Sequence, residues 1–193
     1  FEKLKQGFEE GLRTAKQEYV DLWRITCLEE SGQHDENTIE ELIKALDWAK
    51  KSGKARFTGI SSHDRQHIKK LIEKYPDQLE VICTPYTAST KVVTDEDGLW
   101  AAMKKHDVGW FGIKPFASNS LFKNPGNYEG ETAKENDRLA RLAIRHILCN
   151  PAITAPIPGL ITVEQVDNMA LAIMERRQLD ANEQADLDHA MRR

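Results

Sequence analysis

The sequence predicts an α/β fold with a parallel sheet. Two observations predict it. Short apolar, β-rich stretches alternate with amphipathic helical stretches along the whole chain. Three of the helical stretches also carry capping-box signatures, Thr38–Glu41, Thr132–Glu135 and Thr162–Gln165. The order reads as one helix, then five strand–helix units, then one more helix. No low-complexity segment, solenoid repeat or interior boundary interrupts it, so residues 1–193 are expected to form a single domain.

Each element has its own reason. Leu4, Phe8, Leu12 and Ala15 lie on one face of a helix over residues 1–17. Residues 19–26 are β-rich and read as a strand. After a polar loop from Glu29 to Asn37, Ile39, Leu42, Ile43 and Leu46 repeat at helical spacing, and Gly53 fits the stop. The next strand is 54–63. Asp64 then caps a helix carrying Ile68, Leu71, Ile72 and Tyr75, and Pro76 marks its end. Residues 79–86 read as a strand, Asp95–Lys105 as a helix, and residues 108–114 as a strand running into Pro115. A Gly- and Asn-containing loop leads to a helix opened by Thr132, with Leu139, Leu142, Ala143 and Ile147 on its apolar face. Residues 152–157 form the last strand. Thr162 opens the following helix, and a terminal helix starts near Asp180.

Composition narrows the function classes. Apolar residues make up 40% and charged residues 30%, which suits a globular protein. The net charge of −4 gives no general attraction to nucleic acid or anionic membrane, and no basic stripe with interleaved aromatics occurs. No apolar run approaches the roughly 20 residues that span a bilayer. Cys27, Cys83 and Cys149 are odd in number and widely spaced, which fits a reducing compartment and a cytoplasmic location. The chain opens on Phe1-Glu2-Lys3-Leu4, without Met and already in helical rhythm, and reads like the middle of a protein.

The chemistry is expected where strands end. Residues 54–63, Lys-Ala-Arg-Phe-Thr-Gly-Ile-Ser-Ser-His, run from an apolar strand through small polar residues into a helix. Ligands of parallel α/β sheets sit at the carboxyl ends of the strands. Ser61, Ser62 and His63 stand there, although the two serines also suit a cap for the helix at Asp64 and His63 suits a solvated loop. Lys114 is unusual for a strand and also falls at a strand end. Gln165 is equally explained by its capping box with Thr162. Cys27, His34, His63 and Cys83 match no metal-ligand spacing. The four tryptophans read as packing residues. No phosphate-loop, dinucleotide-fingerprint, nucleophile-elbow or zinc-protease motif is present.

Several of these stretches, in order, resemble the aldo-keto reductase family: Tyr19 to Ile25, Ala45 to Ser61, Phe111 to Ala117, and Asn150 to Gly159 followed by Glu164 to Asn168. The resemblance covers nearly all of the chain. It implies a partial (β/α)8 TIM barrel of about five β/α units plus an initial and a C-terminal helix, corresponding to strands four to eight and lacking the first strands. It also implies NADPH as cofactor and a small-molecule carbonyl substrate. The family's catalytic Asp, Tyr and Lys belong to the earlier strands, and the position of its fourth catalytic residue, a His, is Thr26 here.

What the resemblance leaves is the cofactor side. Ser61 and Ser62 fall where the family holds the nicotinamide carboxamide, with the second position an Asn in the family. Cys83 takes the place of a Gln, and Ile113 that of a stacking aromatic. Lys114 and Phe116 fall near the pyrophosphate. Gly159, with Leu160, falls where many members carry Lys-Ser for the 2′-phosphate, and Gln165 falls near the adenine end. The expected function is that of an NADP-dependent oxidoreductase carrying mainly the cofactor-binding half. The rivals are a non-catalytic or regulatory binding protein, and an inactive fragment that self-associates through open sheet edges.

Overall fold

The structure is a computed structural model that describes residues 1–26, 34–89, 98–126, 129–175 and 177–192. It contains two compact units, Phe1–Thr84 with Thr94–Trp110, and Pro85–Val93 with Phe111–Arg193. The elements alternate as the sequence predicts, and the described strand pairs are parallel.

The first unit holds α1 (Glu2–Ala15), β1 (Val20–Thr26), α2 (Glu36–Lys51), β2 (Ala55–Ser61), α3 (Arg65–Lys74), nearly all of β3 (Val81–Pro85) and α4 (Leu99–His106). β2 lies between β1 and β3. Alternation gives each strand an inner and an outer face, and Ile25, Thr58, Ile60 and Ile82 on one of them are buried. The apolar stripes of α2 and α3, including Ala45, Leu46, Ala49, Ile68 and Ile72, are buried as well. Aromatic contacts fasten α1: Phe8 stacks on Trp23 with centroids 4.1 Å apart and meets Trp48 edge-on. Trp110 is fully buried, and its indole N–H donates to the Thr84 carbonyl at 3.3 Å.

The second unit holds the end of β4 (Gly109–Ile113), a 3-10 turn at Ala117–Asn119, α5 (Gly130–Leu148), β5 (Ala155–Ile157), α6 (Val163–Met174) and α7 (Ala181–Met191). Ile113 pairs with Ile157 across β4 and β5. The core is the apolar face of α5, with Leu139, Leu142, Ala143 and Ile144, closed by Phe116, Leu121, Ala172 and Leu187.

Several element starts differ from expectation, each for a local reason. Helix α2 begins before Thr38, because Asp35 takes the cap and its carboxylate accepts from the Thr38 N–H at 2.7 Å. That hydroxyl and N–H hold the Asp35 carboxyl below the usual carboxylate range. Helix α5 begins at Gly130, with Thr132 inside its first turn. Gly130 has φ 74, a backbone state open to glycine at no steric cost. Strand β5 begins late, because the Asn150 side chain accepts from Ala152 N and its carbonyl from Ile153 N, holding that stretch in a turn. The caps at Asp64 and Thr162 form as the sequence predicts, and the terminal helix expected near Asp180 is capped by that residue's side chain. Gly53, with φ 72, follows α2. Residues 29–33 of the polar loop, 95–97 of the α4 prediction and Cys27 lie outside the described residues. Among the described residues, no helix is long and apolar enough to cross a membrane, and no group of His, Cys, Asp and Glu is placed to hold a metal.

Candidate functional site

In the first unit, the parallel register sets Thr26 beside Ser61 and Ser61 beside Cys83, a row across the carboxyl ends of three strands. Ser61 and Cys83 are buried, and Thr26 is exposed. Burial pushes the Cys83 thiol up, partly offset by the charge of Arg24, so it stays protonated at neutral pH. Ser62 is also buried. Its N–H donates to the Cys83 carbonyl at 3.1 Å, and its hydroxyl accepts from Asp64 N at 3.1 Å. It thus shapes the turn into α3, beside the Asp64 carboxylate that accepts from His67 N. His63 is exposed.

The second unit contains a pocket of about 330 Å³. Its walls come from the segment after β4, from α5 and from the first turns of α6. Phe116 and Phe122 contribute rings whose centroids lie 5.1 Å apart. Gly159, Leu160, Ile161 and Thr162 form the approach to α6, and Glu164 and Gln165 sit on its first turn. The start of a helix presents backbone N–H groups and a positive dipole end, which favour anions. The Thr162 hydroxyl accepts from Gln165 N at 3.3 Å, and the Gln165 side chain accepts from Ile161 N at 2.8 Å. Gln165 therefore braces the backbone that forms the pocket rim.

The segment after β4 is conformationally constrained. Lys114, Ala117, Ser118 and Asn119 all have positive φ. For residues other than glycine this is a sparsely populated state, and such strain tends to gather at ligand-binding segments. The turn holds Phe116 buried against the core while Asn119 reaches the pocket.

Phe116, Gly159 and Gln165 are thus brought together in one pocket. Ser61 and Cys83 share the strand-end row of the first unit, with Ser62 following it. Ile113 ends β4, where its carbonyl accepts from Tyr86 N, and Lys114 is exposed; neither lines the pocket. Asn136, Asp137, Glu164, Asn168 and Met169 line it without having been singled out in the sequence. Only Glu164 had a visible signal, its place between Thr162 and Gln165 in a capping box. The others reach the pocket through the packing of α5 on α6, where Asn168 donates to the Asp137 carbonyl at 3.0 Å and accepts from Arg141.

The alternating parallel strands and helices define an α/β protein of the partial TIM-barrel class. The chain belongs to the aldo/keto reductase family, whose model matches residues 2–192. It is 24% identical over 201 residues to L-galactose dehydrogenase of Arabidopsis thaliana, covering 95% of this chain and 61% of the relative. It is 30% identical over 122 residues to L-glyceraldehyde 3-phosphate reductase of Escherichia coli K12, covering 61% of this chain and 33% of that protein. Among solved structures, the holo form of aldo-keto reductase AKR11C1 from Bacillus halodurans superposes with a TM-score of 0.71 at 21% identity, over 97% of this chain and 64% of that one. The chain therefore spans about three-fifths of the length of the first of these relatives.

Proposed function

We propose that this chain supplies the dinucleotide-binding part of an aldo-keto-reductase-type oxidoreductase that interconverts small-molecule carbonyls and alcohols. The observation that carries this reading is the pocket of the second unit. Its volume of about 330 Å³ is within the usual range for small-ligand sites and suits the adenosine end of a dinucleotide. Phe122, with the exposed edge of Phe116, lines it with aromatic surface suited to a base, and the positive end of α6 favours phosphate. Gly159 leaves the mouth open, since a Cβ there would meet no atom within 4 Å. The family resemblance supplies NADPH as the cofactor, Ser61 and Ser62 as the carboxamide contact, and Cys83, Ile113 and Lys114 as further cofactor neighbours. A bound reduced nicotinamide supplies hydride. The part of this chain's residues is to bind and orient.

Gly159→Trp tests this reading. The side chain fills open space at the pocket mouth, so the fold should be unaffected. Calorimetric titration with a nicotinamide dinucleotide should show at least a tenfold loss of affinity, with an unchanged circular-dichroism spectrum. Equal binding by the variant and the parent chain would remove the pocket from the proposal.

A second reading, a non-catalytic dinucleotide-binding protein, draws on the strand-end row. Thr26, Ser61 and the protonated Cys83 thiol offer no group that exchanges a proton readily near neutral pH. Turnover of a carbonyl substrate with cofactor by this chain alone would rule it out.

The domain reading, an incomplete barrel lacking its first strands, has a consequence for association. Among the described residues, β1 and β5 each pair along one edge only, and open edges recruit other strands. Val163, Ile173 and Met174 on α6 are also exposed. Sedimentation of the isolated chain at micromolar concentration should show self-association. A monodisperse monomer would contradict this reading.

A further inference from the structure

We infer that Arg24 and Thr26 form an anion-binding subsite on the open face of the first unit's sheet, one that takes the carboxylate or phosphate of a small substrate. The subsite itself is independent of the dinucleotide pocket. Assigning its anion to a carbonyl substrate rests on the oxidoreductase reading.

Strand alternation puts Arg24 and Thr26 on the face of β1 opposite Ile25. The register continues that face through Gly59 and Ser61 of β2 to Cys83 of β3. None of these positions is acidic. The acid of β1, Asp21, lies on the other face, where it pairs with Arg56.

Arg24 is exposed, and among the described residues no carboxylate pairs with it. Its neighbour on β2 is Gly59, so no side chain fills the space beside it. Burial raises the Cys83 thiol and the Arg24 charge partly offsets this, so that charge acts across the strand ends. Ser61 is 8% exposed, and neither its hydroxyl nor that of Thr26 has a partner among the described residues. A charged guanidinium and two hydroxyls are thus gathered with no anion among them. A ligand that satisfies this set brings negatively charged oxygens, and a carboxylate or phosphate matches the planar fork of the guanidinium with two parallel hydrogen bonds. In the oxidoreductase reading Ser61 serves the carboxamide, while Arg24 and Thr26 hold the anionic end of the substrate beside it.

The test follows the backbone and guanidinium NMR signals of the full chain at low ionic strength, where screening is weakest. The probes are inorganic phosphate, pyruvate and, as a neutral carbonyl, acetone. Signals of Arg24, Thr26 and Ser61 should shift with phosphate or pyruvate, and acetone should bind at least tenfold more weakly. The tighter of the two anions tells a phosphate handle from a carboxylate one. Arg24→Gln should weaken anion binding at least tenfold, and Arg24→Lys should restore part of it, since the charge returns without the fork. Arg56→Gln removes an equal charge from the opposite face and should leave anion binding as it was. Arg24 is exposed, so its variants should fold, and unchanged dispersion of the remaining signals checks this. Shifts confined to other residues, equal binding by Arg24→Gln, an equal loss in Arg56→Gln, or no anion binding would each overturn the subsite. Titration of the same samples with a nicotinamide dinucleotide separates this inference from the oxidoreductase reading. A chain that binds dinucleotide and no anion keeps that reading and loses the subsite. A chain that binds anions at Arg24 and no dinucleotide keeps the subsite and loses its assignment to a carbonyl substrate.

Discussion

Replacing Arg145 by alanine should destabilise the second unit by about 3 kcal/mol, the lower end of what breaking a buried ion pair costs. Arg145 is 3% exposed. One guanidinium nitrogen reaches Glu175 at 3.2 Å and Glu183 at 3.0 Å, and the other reaches Glu183 at 3.0 Å and the Gln178 carbonyl at 3.1 Å. The side chain therefore ties α5 to the end of α6 and to the first turn of α7. Glu183 is also the residue that completes the capping box with Asp180. Without Arg145, two carboxylates face each other beside the core. Glu175 keeps its bond to Arg141, and both carboxylates are partly hydrated, which holds the cost near 3 kcal/mol rather than higher. Hydrogen exchange should show protection falling in α7 and the last turn of α6. Removing Glu183 as well, by Glu183→Gln in the alanine background, should cost less than it does alone, because the two groups act on each other. Additive losses would show that Arg145 acts by packing alone.

Replacing Gly59 by alanine should cost the first unit about 3 kcal/mol, at the upper end for overpacking. A Cβ at this position would lie 2.0 Å from the Val81 carbonyl oxygen and 2.8 Å from its carbon. Both are backbone atoms of the neighbouring strand, so no side chain can turn aside to relieve the overlap. Gly59 is paired with Val81 in the β2–β3 register, two residues from the Ser61–Cys83 pair. Forcing the strands apart there disturbs the strand-end row as well. All four tryptophans, at 23, 48, 100 and 110, lie in the first unit, so their fluorescence reports its unfolding in urea. A midpoint unchanged from the parent chain would mean that β2 and β3 separate at little cost.

Gly59 and Arg145 also mark where reading the sequence stops. The strand at 54–63 is legible from its apolar, β-rich character, but nothing in it tells which neighbouring backbone passes its glycine. Close approach is a property of the pair of strands. Arg145 reads as one more polar residue on an amphipathic helix, because the stripe of Leu139, Leu142, Ala143 and Ile147 accounts for the pattern without it. It becomes buried only when α7 folds back over α5. Caps follow the same division. Thr162 caps as read, since the nearest competent oxygen lies at the right place. Thr38 does not, because Asp35 three residues earlier offers a stronger acceptor.

For the candidate site, local pattern supplied the elements and proximity supplied the pocket. Phe116, Gly159 and Gln165 were expected to serve the cofactor through the family resemblance, and they line one cavity together. Asp137 and Asn168 were not foreseen, because their places depend on α5 and α6 packing side by side.

The sequence by itself determined the parallel α/β class, the order of strands and helices, and the family. These depend on periodicity, caps and motif order, which act between residues close in the chain. The tertiary structure decided which carboxylates meet Arg145, which glycine admits a neighbouring strand, and that a pocket forms at the start of α6. Each of those depends on atoms distant in sequence coming within a few ångströms, and only the packed fold brings them there.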